Sequence, residues 1–149
     1  MSAAATLAAP RRAAAAATEI LARTLLGEAA GRPVRAIEAV AAVVMNRVRL
    51  AAAPQGPSHW GHGIAGVCRA PFQFACWTPH HPRHATMLDA REDDPALALC
   101  RRVSARAAVG ALSDPTGGAT HYHDATRLPR WAVGEVPTAE IGGLVFYRL

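Results

Sequence analysis

The chain has 149 residues, enough for one domain with one modest core. Hydrophobic residues make up 51% and charged residues 18%, which excludes an intrinsically disordered chain, and no apolar run of eighteen or more residues exists to form a transmembrane helix. The net charge is +5, carried by arginine without a single lysine, which suits an anionic polymer such as nucleic acid, a membrane surface or a bacterial envelope.

Residues 1–17 are Ala-rich and of low complexity, and read as a flexible N-terminal segment ahead of a domain over 18–149. They make a poor signal peptide, because the Arg11–Arg12 pair follows the apolar patch. A first helix is predicted over 18–30, with Thr18 as its N-cap and Gly31 and Pro33 as its stop. Helical spacing puts Leu21, Thr24, Leu25 and Glu28 on one face. Glu19 lies on the other side and can pair with Arg23 at i,i+4 in water. Glu28 instead shares a face with leucines. Lost hydration there would disfavour its charged form, and a carboxyl protonated at neutral pH can donate to a leaving oxygen; the other reading is a Glu at a frayed helix end that reaches water.

A second helix is predicted from Pro33 to Arg49, with a stripe of Ile37, Val40, Ala41, Val44 and Val48 and small residues on its other sides. It reads as the buried centre of the domain. Residues 51–94 read as loop-rich. A third helix is predicted from Pro95 to Leu112, capped by Asp94. A turn cluster at 113–118 leads to short strands at 119–124 and 144–148. The sum is a mostly helical α+β domain with a small antiparallel sheet.

Several chemistries are weighed on residue patterns. Three cysteines, Cys68, Cys76 and Cys100, do not describe a disulfide framework; a Cys68–Cys76 bridge and three buried thiols both fit. His80 and His84 are spaced as metal ligands on a helix would be, but Pro79 and Pro82 argue against a helix there, and no metal motif is present. No metal and no cofactor is therefore expected. His121 and His123 share one strand face, with Thr120 and Tyr122 on the other. No serine-hydrolase elbow and no nucleic-acid signature appears.

Five segments then occur in order: "ARTLLGEAAGRPVRAIEAVAAVVMNRVR" (22–49), "VCRAPFQFACW" (67–77), "GATHYH" (118–123), "PRWA" (129–132) and "IGGLVFYR" (141–148). Together they resemble the spore-cortex-lytic (SleB-type) cell wall hydrolase family over nearly the whole chain. The resemblance implies a lysozyme-like domain that cleaves peptidoglycan, usually as a lytic transglycosylase, with Glu28 as catalytic acid/base. It also implies that Gln73, Thr120, His121, Tyr122 and His123 line a glycan groove. The chain departs from the family pattern at Leu26, Arg32 and Ala75. A hydrolytic mechanism would need a second carboxylate, for which Asp124 is the best candidate and Glu38 the weaker one.

The expected partner is the peptidoglycan glycan strand, with no nucleic acid and no membrane insertion, for a monomer acting in the cell envelope or released as a phage-type lysin. The competing readings are a non-catalytic basic module that binds envelope or nucleic acid, and a metal-dependent peptidase built on the loop histidines.

Overall fold

The computed structural model describes residues 3–149. Helix α1 spans Ala3–Ala29 and α2 spans Val34–Ala51, followed by the short helices α3 (Gly63–Arg69) and α4 (His84–Asp89) and by α5 (Pro95–Ala108). Three strands close the chain: β1 (His121–Asp124), β2 (Ala139–Ile141) and β3 (Leu144–Tyr147). The fold is a mostly helical α+β domain with a small antiparallel sheet, as expected.

Helix α1 begins well before Thr18. Alanine has the highest helix propensity, so the Ala-rich stretch continues the helix even though residues 9–16 are exposed along it. Thr18 is therefore not an N-cap; inside the helix its hydroxyl donates back to the Ala14 carbonyl at 2.9 Å. Met1 and Ser2 of the Ala-rich segment lie outside the described residues. The helix stops where predicted. Gly31 adopts φ +84, a left-handed conformation that glycine reaches without a Cβ penalty.

Helix α2 starts behind Pro33 and is buried along most of its length, from Ala36 and Ile37 through Val44 to Arg47 and Ala51. It lies at the centre of the core beside Leu21, Leu25, Met87, Leu97 and Phe146, all fully buried. Asp94 caps α5 as predicted, accepting from the Ala96 and Leu97 amides at 2.8 and 3.4 Å. That helix ends at Ala108 instead of Leu112, because the chain turns at Gly110 with φ +74. The loop-rich stretch 51–94 is more ordered than predicted, since it contains α3 and α4.

The sheet has the order β1-β3-β2, with β3 in the centre and both pairs antiparallel. Tyr122 pairs with Phe146, and His121 with Tyr147. Strand β2 was not predicted. Its signal is the Gly142–Gly143 pair, both at positive φ (58° and 80°), which makes a two-residue hairpin turn between "AEI" and "LVFY". Gly142 has a second reason to lack a side chain: an added Cβ would come within 2.6 Å of the Ala36 Cβ on α2. Among the described residues no helix is long and apolar enough to cross a membrane.

Candidate active site

Glu28 sits in the last turn of α1, half-buried, directly after the fully buried Leu21, Thr24 and Leu25. The segment between α3 and α4 wraps this turn. The Trp77 indole N–H donates to the Thr24 hydroxyl at 3.0 Å, and Arg83 Nη1 donates to the Ala30 carbonyl at 3.2 Å. His84 Nδ1 donates to the Cys76 carbonyl at 2.9 Å, since a carbonyl can only accept. The approach is so close that a Cβ on Gly27 would lie 2.6 Å from the Cys76 Cβ. Burial pushes the Glu28 carboxyl up from its ordinary pKa. The Tyr122 hydroxyl, and the positive charges of Arg83 and Arg47, pull in the other direction without reversing the shift.

Strand β1 presents two different faces. Tyr122 points inward, with its ring 5.7 Å from Phe146, and its hydroxyl acts to lower the pKa of the Glu28 carboxyl. His121 and His123 point the other way and pack against Trp131, at 5.4 and 5.6 Å between ring centres. Both histidines are held within that aromatic cluster. His123 Nδ1 meets the Asp124 carbonyl at 2.7 Å and must donate to it, so Nε2 is left to accept from the Tyr147 hydroxyl at 2.9 Å. His121 pairs with the Thr120 hydroxyl at 2.8 Å, and its pKa is lowered by burial and by the charges of Arg47 and His59. Period-2 alternation thus puts the two histidines on the face of β1 opposite Tyr122. Thr120 has a packing role. It is fully buried, and its hydroxyl exchanges hydrogen bonds with Leu149 to anchor the C-terminus.

Gln73 joins the site through a residue the sequence reading passed over. Arg47, on α2, is 5% exposed. Its Nε donates to the Thr120 carbonyl at 2.7 Å and its Nη1 to Gln73 Oε1 at 3.0 Å. The guanidinium lies over the rings of Phe74 and Trp60, at 5.1 and 5.5 Å. A guanidinium only donates, so the Gln73 oxygen must face Arg47, and the Nε2 end donates to the Pro71 carbonyl at 3.4 Å with one hydrogen left over. The preceding residue, Asn46, donates to the Ala119 carbonyl at 2.9 Å. Two adjacent side chains of α2 therefore hold the entry to β1 and so position Tyr122. Beside Gln73 a cleft of about 600 Å³ opens, lined by Ser58, His59, Arg69, Ala70 and Pro71 among others. A second cleft of about 350 Å³ is formed at the end of α1 by Gly27, Ala30, Gly31 and Arg83 with their neighbours.

Each candidate for a second carboxylate is paired with an arginine. Asp124 is ion-paired with Arg32 and accepts from the Thr126 amide and hydroxyl at 2.8 and 2.6 Å. Those bonds hold it well below the usual carboxylate range. Glu38 faces Arg106 at 3.5 Å. The charges that bear on Glu28 belong to arginines.

The cysteines are three free, buried thiols with no Cys68–Cys76 bridge. Burial raises Cys68 and Cys100 to about 11, and Cys76 is pushed up too, by burial and by the charge of Glu28. None offers a thiolate nucleophile near neutral pH. Among the described residues no three His, Cys, Asp or Glu side chains converge where they could hold a metal ion, so the loop histidines do not assemble a peptidase centre.

The family model for the cell wall hydrolases matches residues 31–147, a range that begins just past Glu28. No curated protein matches the chain. Two solved structures are similar. The catalytic domain of the Bacillus cereus SleB protein is 25% identical, with a TM-score of 0.63 and 89% of each chain covered. The catalytic domain of the germination-specific lytic transglycosylase SleB from Bacillus anthracis is also 25% identical, with a TM-score of 0.64, covering 89% of this chain and 93% of that one. The chain belongs to the cell wall hydrolase family and is a peptidoglycan-degrading enzyme, not a non-catalytic binding module.

Proposed function

We propose that the enzyme cuts the glycan strand between N-acetylmuramic acid and N-acetylglucosamine as a lytic transglycosylase, with Glu28 as its single acid/base. The observation that carries this reading is a carboxyl raised by burial, with arginines and a tyrosine around it and each candidate for a second carboxylate paired with an arginine. A hydrolytic glycosidase needs two carboxyl groups within about 5–10 Å. One suffices when the nucleophile is already part of the substrate.

In the first half of the reaction the protonated Glu28 gives its proton to the glycosidic oxygen, and the bond from that oxygen to the muramic C1 breaks. The carboxylate left behind is stabilised by the Tyr122 hydroxyl and by the charges of Arg83 and Arg47. The muramic C6 hydroxyl then attacks C1, and its proton passes to Glu28. The products are a 1,6-anhydromuramic end and a free N-acetylglucosamine C4 hydroxyl. No water is consumed, and Glu28 is protonated again. Gln73, whose Nε2 donates one hydrogen to the Pro71 carbonyl at 3.4 Å and keeps a second, is suited to an acetamido carbonyl of the strand. The general acid must carry its proton, so activity falls as pH rises through the raised pKa of Glu28.

Mass spectrometry of purified peptidoglycan after digestion, beside a Glu28→Gln control, tests the reading. Anhydromuramic ends that vanish in the control are expected. Reducing ends would demand a water nucleophile and a second carboxylate, and would sink the transglycosylase assignment.

A further inference from the structure

Phe72 combines two features that each work against stability. Its ring is fully exposed, at 102% of the reference area, so it contributes nothing to the core. Its backbone has φ +64, and it is the sole residue other than glycine with a positive φ among the described residues. A bulky side chain in the left-handed region is an outlier, because its Cβ crowds the following carbonyl. Such strain concentrates at ligand contacts, where the fold around it determines the conformation.

The surroundings place the ring. Pro71 and Ala70 line the cleft of about 600 Å³. Gln73, the next residue, is tied through Arg47 to the carbonyl of Thr120 at the entry to β1. The Gln73 amide also donates back to the Ala70 carbonyl at 3.2 Å, closing a tight turn with Phe72 at its tip. The turn is thus anchored on both sides while the aromatic ring at its tip has no protein partner. Ring faces carry partial negative charge, and the axial C–H face of a pyranose carries partial positive charge, so the two stack.

We propose that Phe72 is a substrate-binding residue: its ring stacks on a pyranose of the glycan strand where the strand crosses the lip of the cleft beside Gln73. The proposal rests on the reading of the protein as a glycan-strand cleaver.

The substitution Phe72→Gly removes the ring and suits the positive φ, so it leaves Tm unchanged or higher. Two readouts follow. The first is KM and kcat on purified peptidoglycan. The second is sedimentation with insoluble peptidoglycan in the Glu28→Gln background, where binding is read without cleavage. Phe72→Gly is expected to raise KM and weaken sedimentation roughly two- to tenfold, the range of a single aromatic stacking contact, with kcat unchanged. Phe72→Trp is expected to restore both.

Unchanged KM and binding in Phe72→Gly would overturn the proposal. So would a Phe72→Leu variant that binds as well as the tryptophan variant, because an aliphatic side chain cannot stack. Self-association that Phe72→Gly abolishes would reassign the ring to a contact between copies of the chain, again against the proposal. A Glu28→Gln enzyme that still cleaves would count against the acid/base assignment and leave the Phe72 result standing by itself.

Discussion

Glu19 and Glu28 stand on the same helix and have opposite environments. Glu19 accepts from Arg23 at 3.0 Å and from Arg101 at 2.7 and 2.9 Å, and Arg101 also reaches Glu92. Hydrogen bonds from the two guanidiniums, Arg101 before Arg23, hold the Glu19 carboxyl below its ordinary pKa despite partial burial. Glu28 has arginines nearby too, but burial outweighs them and the carboxyl moves up. The position of an arginine relative to the carboxylate decides the difference. Direct charge-assisted bonds fix the anion, whereas a charge engaged with other partners only moderates the cost of desolvation. One residue type thus yields a carboxyl held below its ordinary pKa at one end of a helix segment and one raised above it at the other.

The contrast is broken most severely at the chemistry. Glu28→Gln is expected to lower turnover on peptidoglycan by about 10²- to 10⁴-fold, and Glu19→Gln to leave it within a factor of about two. Equal losses in an assay of released glycan ends would mean that the two carboxyls are not functionally distinct. The packing that buries Glu28 can be disturbed next. Gly27→Ala puts a methyl 2.6 Å from the Cys76 Cβ, which is held by backbone and cannot swing away. A loss of about 1–3 kcal/mol is expected in denaturant unfolding, together with reduced activity as the wall beside Glu28 shifts.

Arg47 sharpens the comparison through pH. Its charge lowers the pKa of Glu28, so Arg47→Met should move the alkaline limb of kcat/KM to higher pH. Arg47→Lys keeps a charge and should leave the limb near its original position. The groups facing Glu28 in this experiment are Tyr122 on β1, Arg83 ahead of α4, and Cys76, whose thiol stays neutral. A limb that does not move in the methionine variant would show that Arg47 acts on Glu28 only through the fold.

The smallest effect is on stability. The folded-state pKa of Glu28 lies above its unfolded value, so the folded protein binds the proton more tightly than the unfolded chain does. Stability from that difference is present at low pH and is lost as pH rises through the folded pKa. Glu28→Gln should therefore stabilise the protein near pH 7 by about 1 kcal/mol and by less at pH 4, read as Tm at the two pH values. Glu19→Gln should do the reverse, costing a few tenths of a kcal/mol at neutral pH after solvent screening.

Much of the helical layout was legible, because its boundaries are local chemistry. Asp94 ahead of Pro95, Pro33 ahead of Val34, and Gly31 after the last turn of α1 each act within a few residues of themselves. The start of α1 was not legible at Thr18, since threonine resembles a cap whenever alanines precede it. Strand β2 is three residues long and carries too little periodicity to stand out; only its glycine pair marks it.

Glu28 could be singled out because four residues of helical spacing suffice to put it on an apolar face. Arg47 could not. Its partners Gln73 and Thr120 lie 26 and 73 positions further along the chain, and at the end of an amphipathic helix an arginine reads as solvated. The alternation in β1 was legible as well, but which of its faces meets Glu28 depends on how the sheet packs on the helices, and no local pattern carries that information.

The buried thiols bear on where the chain can become active. Cys68, Cys76 and Cys100 are all unpaired and inaccessible, and burial keeps each protonated. No bond in the fold awaits an oxidant, and no thiol is offered to glutathione or to a disulfide-forming catalyst. The three thiols of the folded state are therefore poor targets for thiol–disulfide exchange.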